Sequence, residues 1–121
     1  MSSSWVTTTR GLPVSSFEKL HKGMDISSAD LARVTNIAIR TLQRRRKQGQ
    51  FQTDESERLL RLGVLFDRAI EVLGSVDAAR SWMKSPQKPL AGKTPLAYSD
   101  TEPGAREVED LLGRIEHGVF S

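Results

Sequence analysis

The chain has 121 residues, a formal net charge of +3 and no cysteine, so it allows either one compact domain or two small ones. The lack of cysteine excludes disulfides and thiolate chemistry and agrees with a reducing compartment. No apolar run reaches membrane-spanning length and no signal-peptide pattern opens the sequence, so we expect a soluble, cytoplasmic protein.

Charge is distributed unevenly along the chain. Residues 1–60 carry 10 basic and 6 acidic side chains, whereas residues 61–121 carry 8 and 9. Only the N-terminal half therefore suits a polyanionic partner such as nucleic acid.

The sequence contains no recognisable catalytic or metal-binding constellation. His21 and His117 are far apart, and nothing near either has metal-ligand spacing. Glu109 and Asp110 are adjacent, so on a helix they diverge by about 100°, a poor geometry for acid/base catalysis. We predict that the chain is not an enzyme and has no catalytic residues, metal, cofactor or small-molecule substrate.

The first residues lack helical periodicity. Residues 1–13 end in Gly-Leu-Pro and are predicted to be a flexible arm, in which Trp5 either belongs to a disordered tail or docks on a partner subunit. From Ser15 onward an amphipathic helix is predicted, because three apolar residues recur at helical spacing: Phe17, Leu20 and Met24.

Two short helices follow. Ser27 and Ser28 can cap a helix through Arg33, and a turn of about four residues separates it from a helix within residues 36–49. Gly49 is placed to end that helix, since glycine readily adopts the left-handed conformation. Two short helices joined by a tight turn describe a helix-turn-helix motif.

The second of these helices separates apolar and basic residues. At about 100° per residue, four polar side chains fall in one outward sector: Arg40, Gln43, Arg44 and Lys47. The opposite side carries Ala38, Ile39 and Leu42, with the stem of Arg46 near the core. Such basic runs also occur on merely solvated helices, but the preceding helix and turn favour DNA binding.

Groove geometry assigns roles to these side chains. Arg40 and Arg44 can each grip a guanine with two hydrogen bonds, Gln43 can do the same for adenine, and Lys47 suits a phosphate. The predicted DNA-binding set also includes Thr41 and Arg45, the latter on the DNA backbone. Because one such motif covers only a half-site, we expect a homodimer on a roughly two-fold operator.

A long helix and a second group of short helices complete the chain. Thr53 is predicted to cap a helix whose apolar stripe runs from Leu59 to Leu73. Ser75 should cap the next helix, with Val76, Ala79, Trp82 and Met83 on its buried side. Thr94-Pro95 and Thr101-Glu102-Pro103 mark two further helix starts.

The last helix is predicted to bury Val108, Leu111, Leu112 and Ile115 and to end at Gly118. Nothing in the chain indicates a strand. We therefore predict an all-α fold with three parts: an arm at residues 1–13, a helix-turn-helix domain at 14–73 and a small helical domain at 74–121.

Several segments resemble one known family. The sequences A-A-R-S-W-M at 78–83, L-A-G-K-T-P-L at 90–96 and T-E-P-G-A-R-E-V-E-D-L-L-G-R-I-E-H-G-V at 101–119 are similar to the toxin-binding domain of the Xre/MbcA/ParS-type antitoxins. R-T-L-Q-R-R-R at 40–46 and D-E-S-E-R-L-L-R at 54–61 resemble the Xre-like helix-turn-helix half of that family. The resemblance covers roughly residues 26–119, and the order and spacing of the motifs make it specific.

The resemblance implies an antitoxin that blocks the active-site entrance of a RES-domain toxin, an NAD-consuming enzyme, and represses its own operon. Applied to the C-terminal helix and tail, it indicates these toxin-binding residues: Glu109, Arg114, Glu116, His117, Val119 and Phe120. A frayed terminus is the alternative for the last two. Two departures stand out, namely Ala38 at a usual hydroxyl cap position and the less apolar residues 97–99 after Thr-Pro-Leu.

Two other functions compete with this one. A stand-alone dimeric repressor would use its C-terminal half only for dimerisation, and a neighbouring toxin gene would argue against it. A structural interaction module without a specific DNA site would show salt-dependent binding but no sequence preference.

Overall fold

A computed structural model describes residues 11–118, and the regular secondary structure of this part of the chain is helical. Its α-helices are α1 (Val14–Met24), α2 (Ser28–Val34), α3 (Ile39–Gln48), α4 (Thr53–Leu73), α5 (Val76–Met83), α6 (Pro95–Tyr98) and α7 (Glu102–Glu116), with a 3-10 turn at Lys88–Leu90. Within residues 11–118 the only β-type pairing is an isolated antiparallel bridge between Pro13 and Gln50. The predicted all-α fold is confirmed.

The chain forms two compact units, and the division lies inside α4, after Val64. The predicted boundary between the helix-turn-helix domain and the second domain at residues 73/74 stays a prediction.

The first unit is built around α1, α2 and α3. Ser27 caps α2 by accepting a hydrogen bond from the Asp30 N–H at 3.0 Å, as its position predicts. The predicted apolar face of α1 is confirmed, since Phe17, Leu20 and Met24 are all buried. The remaining large apolar side chains of this core are Leu12, Leu31, Val34, Ile37, Leu42, Phe51, Leu59 and Leu62.

The N-terminal end of the described chain packs into this unit. Leu12 is buried, its N–H donates to the Ser56 Oγ at 2.8 Å, and its carbonyl oxygen accepts from the Phe51 N–H at 2.9 Å. A Cβ on Gly11 would lie 2.6 Å from the Phe51 carbonyl oxygen, so this close approach requires glycine. Residues 11–13 are thus packed rather than part of the predicted arm, while residues 1–10, including Trp5, lie outside the described residues.

The N-terminus of α4 differs by one residue from the prediction. Thr53 is the first helical residue rather than the cap. The Glu55 carboxylate instead reaches back to accept a hydrogen bond from the Gln52 N–H at 2.9 Å, the reciprocal half of a capping box. This bond holds Glu55 over the start of the helix.

In the second unit, each predicted hydroxyl cap is confirmed. Ser75 accepts from the Ala78 N–H, Thr94 from the Ala97 N–H and Thr101 from the Gly104 N–H, at 3.0–3.1 Å. The core of this unit contains Leu65, Phe66, Ala69, Ala79, Met83, Leu90, Leu96, Val108, Leu111 and Leu112. Three predicted core residues are less buried than expected: Val76 is exposed, and Trp82 and Ile115 are half-buried.

The structure gives a steric reason for the glycine of the T-E-P-G segment. Gly104 lies in the first turn of α7 against the end of α6, where an added Cβ would overlap with the Tyr98 carbonyl oxygen. Any larger residue would force the two helices apart. By contrast, a Cβ on Gly113, later in α7, would meet nothing within 4 Å.

Candidate functional site

The turn of the helix-turn-helix is held by hydrogen bonds from two side chains, one within the turn and one on α4. It covers residues 35–38, between α2 and α3, with Asn36 in the left-handed conformation at φ 59°, which asparagine tolerates better than most residues. The Thr35 hydroxyl donates to the Leu31 carbonyl oxygen at 2.7 Å. From α4, the Arg58 Nε donates to the Thr35 carbonyl oxygen at 2.6 Å, which fixes where α3 begins.

A buried ion pair holds the end of α3 against α4. The Arg45 Nε and Nη2 donate to the two carboxylate oxygens of Glu55 at 2.8 and 3.0 Å, and Arg45 is only 5 % exposed. These hydrogen bonds from Arg45 lower the pKa of Glu55 below its ordinary value, against the opposing effect of burial. The carboxylate is therefore kept ionised.

This pair corrects one predicted DNA contact. Arg45 was assigned to the DNA backbone, but its guanidinium is turned into the protein and its donors are used by Glu55 and by Gln48, whose Oε1 lies 3.1 Å from Nη1. The sequence carried a signal for this, since Arg45 follows Leu42 by three residues and so shares its buried face. We therefore remove Arg45 from the candidate interface.

The remaining basic face of α3 has the predicted exposure. Arg40, Gln43, Arg44 and Lys47 are exposed, and Thr41 is half-buried. Within residues 11–118 none of the first four has a hydrogen bond or ion pair to another side chain, so their donors are available to a ligand. Their contacts with bases and phosphates stay predictions.

The first turn of α3 differs from its predicted packing. Ile39 was placed on the apolar side, yet it is 49 % exposed, and Ala38 is exposed as well. The reason is that Leu42 and Arg45 define the buried direction of the helix, and Ile39 lies to one side of it. Ala38 provides no side-chain cap, in agreement with its noted departure from the usual hydroxyl.

The guanidinium of Arg46 lies at the surface, where a stem packed along the core would place its charged head. Its Nη2 lies 3.1 Å from the Glu18 Oε2 on α1, and its side chain is 42 % exposed. The pair thus ties α3 to α1 at the surface.

In the second unit, the predicted toxin-binding residues that the structure describes lie on the outside of α7 or at its end. Glu109, Arg114, Glu116 and His117 are all exposed. The helix ends at Glu116, and Gly118 has φ 69°, the conformation predicted for it. Val119 and Phe120 lie outside the described residues. The toxin contacts of all six stay predictions.

Glu116 already has a partner within its own unit. The Arg68 Nη2 and Nη1 donate to its two oxygens at 2.6 and 3.2 Å, and these hydrogen bonds lower the pKa of Glu116. The side chains of Arg68 and Glu116 remain 30 % and 38 % exposed. A ligand could therefore compete for either partner.

The surface of α7 is predominantly acidic. Five of its residues are acidic and two are basic, and all seven are exposed: Glu102, Glu107, Glu109, Asp110, Glu116, Arg106 and Arg114. This charge is opposite in sign to that of the α3 face, so the two units offer surfaces to different kinds of partner.

The segment that departs from the family pattern is locally well satisfied. Ser99 is buried and its hydroxyl donates to the Pro95 carbonyl oxygen at 2.6 Å, while the Tyr98 hydroxyl donates to the Glu107 carboxylate at 2.8 Å. This hydrogen bond to Glu107 raises the pKa of Tyr98. The polar residues here thus serve the fold of the second unit.

Across residues 11–118, no cluster of three or more histidine, aspartate or glutamate side chains is arranged to hold a metal ion. In the same range, no helix has the length and apolar character needed to cross a membrane.

Two family models match this chain, one in its N-terminal half and one in its C-terminal half. A family model described as the antitoxin Xre-like helix-turn-helix domain matches residues 7–63, and one described as the antitoxin Xre/MbcA/ParS C-terminal toxin-binding domain matches residues 68–118. Between them they span nearly the whole described chain.

Three curated proteins similar to this chain are named antitoxin Xre. The chain is 40 % identical over 113 residues to the antitoxin Xre of Photorhabdus laumondii and 41 % identical over 113 residues to that of Yersinia enterocolitica. In both cases the match covers 92 % of this chain and 76 % of the relative. A third relative, the antitoxin Xre of Pseudomonas putida, is 35 % identical over 83 residues.

One solved structure supports the fold. A chain in the crystal structure of the M. tuberculosis MbcT-MbcA toxin-antitoxin complex superposes with a TM-score of 0.67 at 22 % sequence identity, covering 89 % of this chain and 96 % of that one. At this identity the likeness concerns the helical fold.

Proposed function

The chain belongs to the Xre family of antitoxins, and from this premise we propose that it binds and blocks a RES-domain toxin that degrades NAD and represses its own operon as a homodimer. Members of this family bind toxins and do not act as enzymes, so the relevant surfaces are binding surfaces. Operator binding would place the protein in the cytoplasm.

The observation that carries the toxin-binding half is the match of residues 68–118 to a toxin-binding domain. The outer face of α7 adds physical support, because its exposed carboxylates would complement a cationic entrance such as one that binds the phosphates of NAD. The tail residues Val119 and Phe120 follow directly after this face. We propose that they enter the toxin's cleft and compete with NAD.

The DNA-binding half rests on the exposed face of α3. The outward side of α3 carries Arg40, Gln43 and Arg44. The turn before Ile39, held by Arg58, sets the orientation in which α3 would meet DNA. The nearby buried pair between Arg45 and Glu55 restrains the other end of the helix. A rigid recognition helix loses little conformational freedom when it binds.

The toxin-binding proposal is tested by co-expressing the chain with the neighbouring open reading frame and purifying any complex. A copurifying protein whose NAD breakdown is inhibited by the chain is the expected result. Absence of any complex, together with specific operator binding, would favour the alternative of a stand-alone repressor.

The role of the tail is tested by Phe120→Ala and by removal of residues 119–121. Both variants should fold and bind DNA normally but inhibit NAD breakdown less well, with a typical anchor contributing about 2 kcal/mol. Undiminished inhibition at equal stoichiometry would contradict the tail proposal and move the interface to the loop between Pro86 and Thr94.

A further inference from the structure

The first residue of the recognition helix is an exposed apolar side chain. Ile39 opens α3 and is 49 % exposed, whereas Leu42, one turn later, is buried. Among the described residues only two other large apolar side chains are comparably exposed, Val64 and Val76, at 40 % each. Ile39 is distinguished from these two valines by its position beside the exposed basic face of α3.

Its position on the helix connects Ile39 to the base-reading face. Ile39 and Gln43 are four residues apart, so their side chains are neighbours on adjacent turns. Arg40 follows directly and is exposed. In a helix-turn-helix, the N-terminal residues of the second helix are those that reach base edges in the major groove.

Ile39 borders a groove of mixed character. This groove lies between α2 and the start of α3, and Ala29, Ala32 and Ala38 form an apolar part next to Ile39, whereas Arg33 and Asn36 supply polar groups. The apolar part of this groove complements the one apolar group that a base pair presents in the major groove, the 5-methyl group of thymine.

We infer that Ile39 is a specificity-determining residue that contacts a thymine 5-methyl group, beside the adenine read by Gln43. The inference rests on the proposed DNA-binding function and deepens it, because it names an A·T-containing step as part of the operator half-site. The first turn of α3 then reads DNA by shape and apolar contact at Ile39 and by hydrogen bonds at Arg40 and Gln43.

The test uses duplexes selected by the full chain from a random library. Each thymine of the selected site is replaced in turn by deoxyuridine, which pairs identically but lacks the methyl group. We expect replacement at one position per half-site to weaken wild-type binding about fourfold, the effect of one buried methyl group. Ile39→Ala should bind the thymine and deoxyuridine duplexes equally, and Ile39→Val should retain part of the difference.

Controls separate this inference from its premise and from misfolding. Val76→Ala removes a comparably exposed apolar side chain from the second unit and should keep the full thymine preference. Wild-type affinity that is identical on every thymine and deoxyuridine duplex, or an unchanged preference in Ile39→Ala, would overturn the inference while leaving specific DNA binding intact.

Two further outcomes would also count against the inference. A change in the oligomeric state of Ile39→Ala, measured by sedimentation without DNA, would show that Ile39 contacts another protein chain instead. If the library yields no preferred sequence at all, the proposed repressor function is wrong and the inference falls with it.

Discussion

The two units contain the same kind of ion pair in two different settings. In the first unit Glu55 on α4 binds Arg45 on α3, and in the second unit Arg68 on α4 binds Glu116 on α7, each through two hydrogen bonds. The side chains of the first pair are 6 % and 8 % exposed, whereas those of the second are 30 % and 38 % exposed.

Burial gives the two pairs different consequences. A buried charge that loses its partner has no water to replace it, so the first pair is a condition for the packing of α3 on α4. An exposed pair gains little because water and salt screen it, so the second pair can be exchanged for another ligand at small cost. The first unit thus uses its pair to fix a helix, and the second unit presents its pair at the surface.

The largest expected effect comes from breaking the buried pair. Glu55→Ala leaves the Arg45 guanidinium buried without its partner and should lower the free energy of unfolding by about 3–5 kcal/mol. Glu116→Ala is the matched control in the exposed pair and should shift the urea midpoint far less. Similar shifts in the two variants, measured by circular dichroism, would show that burial does not distinguish the pairs.

The second unit should depend on backbone packing rather than on its ion pair. Gly104→Ala places a Cβ against the Tyr98 carbonyl oxygen and should destabilise the unit by about 1–3 kcal/mol. Gly113→Ala lies on the same helix with open space around it and should be stabilising by up to about 1 kcal/mol. Equal destabilisation by both substitutions in urea unfolding would contradict this difference.

The smallest expected effect concerns pH and salt. The pKa values of Glu55 and Glu116 are both lowered in the folded state, so each carboxylate stabilises the fold above its unfolded pKa and loses this contribution as the pH falls through its folded pKa. The stability difference between wild type and Glu55→Gln should therefore shrink below about pH 4.3.

Salt should separate the two pairs in the same way. Adding about 1 M salt at neutral pH should reduce the stability difference between wild type and Glu116→Gln but hardly change the difference between wild type and Glu55→Gln.

Much of the fold could be predicted from the sequence because its signals are local. The hydroxyl caps at Ser27, Ser75, Thr94 and Thr101 and the helix-ending glycine at 49 act within one turn of chain, and the structure confirms them. Apolar periodicity likewise located the buried face of α1.

The features that the sequence did not reveal depend on contacts between distant residues. Arg45 resembles its basic neighbours in composition, and only the position of Glu55, ten residues later on another helix, shows that it is internal. Ile39 looks apolar and therefore buried, but the direction of α3 is set by Leu42 and Arg45. The pairing of Arg68 with Glu116 spans 48 residues and could not be inferred from spacing alone.

The central claim is that repression and toxin neutralisation reside on separate surfaces of one antitoxin. The most direct test expresses Arg40→Ala/Arg44→Ala from a constitutive promoter, at wild-type antitoxin levels, in cells that carry the toxin gene and a reporter of the operon promoter. Each substitution should cost about 1–3 kcal/mol at the operator, so repression is predicted to be lost while the toxin stays neutralised and cellular NAD stays normal. Depletion of NAD in those cells would show that the two surfaces are coupled and would contradict the claim.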